Sequence, residues 1–280
     1  MVMVQPWSVH GLGADGQRLG EGCLTLLLIV LGSVGATDME FPTSRPIALP
    51  LSATKWAAVL LGTMSIVTLV FVMMPEIDLN ASRAFFDDTR TFHLASSEIL
   101  TLIRGLNDWI LIGGLCVAVI GLVMFSRTDQ PRAFDFLFPI LVYAVGPGLV
   151  VNWMLKNGMG RARPRDVLHF GGEKSFTHAW ELSTECIRNC SFTSGEAASA
   201  VAMLSLVTII PSTRRRARQA VAALFVVMAL AFSLNRIAFG AHFLSDTLMS
   251  MLLVALVMLI VHCALQALLQ SMNRKGPAPG

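Results

Sequence analysis

Charge is scarce in this chain. Of 280 residues only 14% are Asp, Glu, Lys or Arg, while 54% are hydrophobic. A soluble globular domain carries roughly a quarter charged residues, and water cannot cover so much apolar surface. The composition therefore excludes a soluble globular domain and indicates an integral membrane protein. Cysteine is sparse too, at five. No second ligand pair is spaced to complete a zinc site. Cys116 and Cys263 fall inside apolar runs as packing residues, and Cys23 lies in the N-terminal region. Cys186 and Cys190 form "CIRNC" in a polar loop. They make a disulfide if the loop faces an oxidising compartment, or stand as two free thiols. No dinucleotide fingerprint is present, because "GLGADG" near residue 11 lacks a preceding strand. Asn80-Ala81-Ser82 and Asn189-Cys190-Ser191 fit the glycosylation pattern, which is frequent by chance. No repeat relates the two halves.

What is present is a series of apolar runs. Six reach the length needed to cross a bilayer: 56–74, 109–125, 134–155, 195–211, 219–238 and 244–268. All six are expected as helices, since open strands cannot satisfy their backbone in lipid. The expected fold is all-α, an integral membrane protein with six transmembrane helices. Residues 1–52 are an N-terminal extension with a weak hydrophobic segment, "LTLLLIVLGSVGAT" (24–37), followed by the Pro-rich linker "FPTSRPIALP". The six-helix domain is expected over 53–270, and a cytoplasmic tail over 271–280.

The net charge is only +3, so the positions of the charges matter more than their sum. Arg127 and Arg132, the four arginines of "STRRRAR" (212–218), and Arg274 with Lys275 fall on one side of a six-helix topology, with Arg45 and Lys55. That side is the cytoplasm by the positive-inside rule. The opposite side receives 75–108, 157–194 and the bend at 239–243. Loop 157–194 is also basic, with Arg161, Arg163, Arg165, Lys174 and Arg188. Such a local exception points to charges with a task, such as holding an anion.

Three clusters lie at helix ends on that outer face. "KNGMGRARP" holds Lys156 and Arg163, "FTSGE" holds Ser194, Gly195 and Glu196, and "NRIAFGAHFLSD" holds Arg236, His242 and Asp246. Lys156, Arg163 and Arg236 supply positive donors that match phosphate oxygens. Ser194 and Gly195 open a helix, where free N–H groups and the dipole favour an anion, and Gly195 permits close backbone approach. His242 and Asp246 are four apart and share one helix face. The carboxylate there fixes the ring tautomer and leaves the other nitrogen free to attack phosphorus. Arg236 and His242 converge only if the chain breaks between them, and Gly240 supplies the break. Each residue alone has a duller explanation, such as a snorkelling Arg or a structural His. The set on one face does not.

These clusters resemble the type 2 phosphatidic acid phosphatase superfamily, which also includes the vanadium haloperoxidases. The family pattern is Lys-x6-Arg-Pro, Pro-Ser-Gly-His, and Ser-Arg-x5-His-x3-Asp. Here the first is intact as Lys156, Arg163 and Pro164, and the third runs from Arg236 through His242 to Asp246, with Asn235 in place of Ser. The second departs twice: Thr193 replaces Pro and Glu196 replaces His. The resemblance covers about residues 56–268, with its specific part at 156–246. The stretches "IDLNASRAFFDD", "HFGG" and "CIRNCSFTSGEAAS" are similar to bacterial lipid A 4'-phosphatase-like members.

The resemblance implies a membrane-embedded lipid phosphate phosphatase. His242 forms a phosphohistidine oriented by Asp246; Lys156, Arg163, Arg236, Ser194 and Gly195 bind the phosphoryl group; and Glu196 takes the seat of the general acid. Should Glu196 not act, His169 or His178 is next in line. No cofactor or metal is expected, since positive side chains carry the charge stabilisation. The expected partners are a lipid phosphate and the bilayer, with no nucleic acid and no obligate protein. The expected location is the bacterial inner membrane, multi-pass, with the site on the periplasmic face. Lipid A 4'-phosphate is the first substrate expectation; undecaprenyl diphosphate, phosphatidic acid and phosphatidylglycerol phosphate are the alternatives. A phosphotransferase would use the same pocket. A vanadate-dependent haloperoxidase is usually soluble, and a transporter places its polar groups at the midplane.

Overall fold

The structure is a computed structural model that describes residues 53–87 and 91–274. The expectations for the N-terminal extension, Cys23, Arg45 and Lys275 lie outside the described residues. The described chain is helical, with two isolated β-bridges in its loops. Helix α1 is Ala53–Met73 and the short α2 is Glu76–Arg83. Then come α3 (Glu98–Phe125), α4 (Gln130–Gly158), α5 (Gly195–Ala202, continuing as a 3-10 helix over Met203–Ile209), α6 (Arg215–Ala238) and α7 (Leu244–Arg274).

Sequence marks three of these starts. Ser97 caps α3, its Oγ accepting from Leu100 N–H. Asp129 caps α4 by accepting from Arg132 N–H, with Pro131 in the first turn. Ser194 caps α5 by accepting from Ala197 N–H. Helix α4 widens to a π-helix over Ala144–Leu155, around Pro147. Proline has no N–H to close an i→i−4 bond, so the ladder shifts register there. Asn152, inside this stretch, and Lys156, just after it, face Gly195 at the start of α5.

Among the described residues five helices are long and apolar enough to cross a membrane: α1, α3, α4, α6 and α7. The protein is a multi-pass membrane protein. The fourth expected run, 195–211, differs from the expectation: its helix, Gly195–Ile209, falls short of a full-length span. The reason lies in its surroundings. Its Ala198, Ala200, Val201 and Ala202 pack in one buried cluster with Phe138 and Val151 of α4, Phe232 of α6, and Val254 and Val261 of α7. Small residues let these backbones approach closely. Its first turn meets α3 and α6 through Glu196, and its last carbonyl, Ile209 O, accepts from Arg132 Nη2 at the start of α4 (2.7 Å). The second expected run, 109–125, extends upstream to Glu98, where polar residues at one helix end had hidden it. Outer faces of α1, α3 and α6 stay apolar and exposed, as at Ile66, Trp109 and Leu230.

Candidate active site

The ends of α3, α4, α5, α6 and α7 meet at one end of the bundle, together with the loop from Met159 to Thr193. Helix α6 ends at Ala238, and Gly240 turns the chain with φ +59°. A side chain there would collide with the ring of Phe92, and an L-residue would be strained at that φ. This turn brings Arg236, in the last turn of α6, back toward His242, just before α7.

Asp246 sits in the first turn of α7 and accepts from Phe243 N–H (2.8 Å), a side-chain cap of its own helix. Ser245 N–H, in the same turn, goes to Asp78 Oδ1 (2.8 Å). Two carboxylates thus complement the positive end of the α7 dipole. Between them lies Arg161, fully buried. Its Nη1 reaches Asp246 Oδ1 (2.5 Å), its Nη2 reaches Asp78 Oδ2 (2.9 Å), and its Nε donates to Thr177 O (2.9 Å). The guanidinium lies over the ring of Phe243, 4.3 Å from the centroid. Burial pushes the Asp78 carboxyl up, and the Arg161 guanidinium pulls it back down.

His242 is likewise buried. Its Nδ1 lies 2.7 Å from the carbonyl oxygen of Ser191 and 3.8 Å from Asp246 Oδ2. The expected direct carboxylate contact is therefore replaced by a backbone carbonyl. Asp246 Oδ2 is occupied by Ser191 Oγ (2.5 Å) and by Phe243 N–H. Ser191 thus bridges the Asp246 carboxylate and the His242 ring. A carbonyl only accepts, so Nδ1 carries the proton and Nε2 the lone pair. Burial depresses the His242 imidazole to about 4; the nearby Asp246 carboxylate opposes this, while Lys156 and Arg236 add to it.

The cations gather beside this ring. Lys156 lies in Coulombic range of Arg163, Glu196, Arg236 and Arg104. Its Nζ stands 3.3 Å from where a Cβ on Gly195 would be, with Asn152 Oδ1 at 2.5 Å from the same point. Only glycine leaves that space open. Arg163 donates to Asn189 O (2.8 Å), and Asn189 is held by the loop that Cys186 and Cys190 close as a disulfide. Glu196 lies between two guanidiniums: Oε1 is 3.1 Å from Arg104 Nε and Oε2 is 3.1 Å from Arg236 Nε. The Arg236 contact is an ion pair by distance but lacks hydrogen-bond alignment. Arg236 Nε and Nη1 are buried without a hydrogen-bond partner among the described residues. Such donors are costly to leave unmet, and an anion would satisfy them. Ser194 Oγ is spent on capping α5, so its contribution at the site is the helix start rather than the hydroxyl.

His169 and His178 flank Phe176 edge-on, and Phe176 itself lies over Arg161. No contact joins either histidine to Glu196 or His242 among the described residues. Four participants were not evident from sequence: Asp78, Arg104, Asn152 and the carbonyl of Ser191. Arg161 was visible only as one of several loop cations. A signal existed for Asp78 alone, which lies in the stretch "IDLNASRAFFDD" that resembles lipid A 4'-phosphatase-like members.

Residues 136–269 match the model of the PAP2 superfamily. The chain is 40% identical over 131 residues to a lipid A 4'-phosphatase of Rhizobium leguminosarum, covering 47% of this chain and 53% of that protein. It is 39% identical over 131 residues to the lipid A 4'-phosphatase of Rhizobium etli (47% and 48%) and 35% identical over 102 residues to that of Francisella tularensis subsp. novicida (36% and 45%). The chain thus matches about half the length of these curated relatives. A crystal structure of a transmembrane PAP2 type phosphatidylglycerolphosphate phosphatase from Bacillus subtilis shares the fold, with a TM-score of 0.51 over 75% of this chain and 96% of that one, at 22% identity. All three motif clusters, Lys156 to Pro164, Thr193 to Glu196 and Asn235 to Asp246, fall within the segment that matches the PAP2 superfamily model.

Proposed function

We propose that the protein is a membrane lipid phosphatase that cleaves a phosphate ester through a phosphohistidine on His242. The observation that carries this is the His242–Ser191 contact beside a cluster of cations. A neutral, buried imidazole whose Nδ1–H is engaged has its Nε2 lone pair directed elsewhere. Nε2 attacks phosphorus, the bond to the lipid oxygen breaks, and that oxygen takes up a proton. Water then attacks phosphorus, the new phosphorus–oxygen bond forms as the bond to Nε2 breaks, and water gives up the proton that balances the one taken by the lipid oxygen, releasing phosphate and restoring His242. Lys156, Arg163 and Arg236 neutralise the equatorial oxygens, with the amide end of α5 at Gly195.

Glu196 occupies the acid's seat. Its pairing with Arg104 and Arg236 supports a second role, aiming those guanidiniums at the phosphoryl group. The lipid A 4'-phosphatase relatives make lipid A 4'-phosphate the substrate of first choice. The Gly195–Ile209 helix is the sixth crossing in this proposal. Its eight α-helical and seven 3-10 residues extend about 26 Å at the usual rises, close to a hydrocarbon core of about 30 Å. Its link to Arg132 at the far end supports that path. The site then faces the periplasm, opposite the arginine-rich loop 212–218, and the Cys186–Cys190 disulfide suits an oxidising compartment.

The test is expression of wild type and His242→Ala in a Gram-negative host, followed by mass spectra of lipid A, polyprenyl phosphates and glycerophospholipids. Wild type alone should remove one phosphate from lipid A. Loss from another lipid class would reassign the substrate, and phosphate appearing on an acceptor lipid would indicate a phosphotransferase. No change in any class would overturn the proposal.

A further inference from the structure

A cleft of about 570 Å³ opens on the same end of the bundle, beside the cation cluster and separate from His242. Its floor is an edge-to-face trio of rings, Phe86, Phe92 and Phe170, with centroids 5.2–5.5 Å apart. Phe239 forms one wall, and its ring centroid lies 5.7 Å from the Arg236 guanidinium carbon. One aromatic side chain therefore borders both the cleft and the group that meets phosphate in the proposed reaction. Arg165 forms part of the rim, and its charge is in range of both Arg163 and Arg236. Asp87 lines the cleft as well, its carboxylate oriented by Thr91.

This lining selects among the parts of a phosphorylated lipid. An acyl chain wants a continuous apolar wall, and covering an Asp and an Arg with it would be costly. A glycerol headgroup has no ring to lie against aromatic surface and would leave most of the volume empty. A sugar offers both kinds of face: an apolar side of C–H bonds for Phe86 and Phe239, and hydroxyls or an amide for Asp87 and Arg165. The volume is within the usual range for small-molecule sites and fits one or two sugar rings. We propose that this cleft is the glycosyl subsite, binding the sugar that carries the scissile phosphate. The proposal rests on the phosphatase assignment of the neighbouring site and makes the substrate class a phosphorylated glycolipid. Specificity then resides in Arg165 and Phe86, outside the groups that handle phosphate.

Equilibrium binding to the full-length protein in detergent tests this. One probe is a phosphonate analogue of an acylated glucosamine phosphate, and the other is a phosphonate analogue of phosphatidic acid. Arg165→Ala and Phe86→Leu should each weaken the glycolipid probe about tenfold and leave the glycerolipid probe within about twofold. Arg165 has an exposed head, so Arg165→Ala remains informative even if Phe86→Leu disturbs the aromatic cluster. Equal weakening of both probes, or of neither, would overturn the subsite. Turnover by His242→Ala is measured beside it. Full hydrolysis of the corresponding phosphate ester by that variant would remove His242 as the nucleophile, absence of hydrolysis by wild type would remove the phosphatase assignment, and the binding difference between probes is read independently of both.

Discussion

The ring of His242 is held by a backbone carbonyl, Ser191 O at 2.7 Å from Nδ1, while the carboxylate four residues on stands 3.8 Å away. Ser191 bonds both ways: its carbonyl accepts from the histidine Nδ1–H and its hydroxyl donates to Asp246. The consequence for pH is direct. A histidine is ordinarily half-protonated near 6.5, and this one near 4.

Activity should therefore keep its nucleophile well below neutral pH. The acid limb of kcat/KM assigned to His242 is expected near pH 4 rather than 6.5. For stability the sign follows from the depressed value: the folded state binds this proton less readily than the unfolded chain. The stabilisation is complete above about 6.5 and is lost as pH falls through about 4. Thermal unfolding of wild type and His242→Gln from pH 7 to pH 4 measures it. Equal pH dependence of the two proteins would count against a neutral buried histidine.

Arg161→Ala should lower stability by about 3–5 kcal/mol, because two buried carboxylates lose their shared counter-charge. Arg161→Lys should recover little, since one ammonium cannot reproduce the fork between Asp78 and Asp246. Unfolding midpoints in detergent for both variants and for Asp78→Asn check this. A midpoint unchanged in Arg161→Ala would show that the network is dispensable.

Gly195→Ala adds a methyl where Asn152 Oδ1 and the Lys156 ammonium crowd the helix start. The fold should survive while inhibition by inorganic phosphate or vanadate weakens about tenfold, the scale of one charge-assisted hydrogen bond. Inhibition constants measured beside the unfolding midpoint separate the two effects. Unaltered inhibition would move the phosphate away from Gly195.

Glu196→Gln separates aiming from acid catalysis. If Glu196 chiefly aims Arg104 and Arg236, the variant should lose activity by similar factors on lipid phosphates and on aryl phosphates, mostly in KM. A general acid matters most for poor leaving groups, and its removal costs on the order of 10²–10⁴ in rate. A loss confined to kcat on the lipid substrate would assign the proton to Glu196.

The apolar runs of α1, α4, α6 and α7 and the motif residues from Lys156 to Asp246 were legible in the sequence, because hydropathy and short-range spacing are local properties. The break at Gly240 was legible for the same reason: one glycine between two helices suffices to turn the chain. The start of α3 at Glu98 was not, since a helix end that leaves the apolar region loses its hydropathy signal while keeping its hydrogen bonds.

Sequence by itself determined that this chain crosses a membrane and that the motif residues Lys156, Arg163, Glu196, Arg236, His242 and Asp246 gather at one of its faces. Tertiary structure decided their pairings. Asp246 turns to Arg161 and Ser191 rather than to His242, Asp78 joins from 83 residues before Arg161, and Arg104 reaches Glu196 from another helix. The physical reason is burial: a charge taken out of water must find an opposite charge or a hydrogen bond wherever packing brings one, and that partner need not be near in sequence.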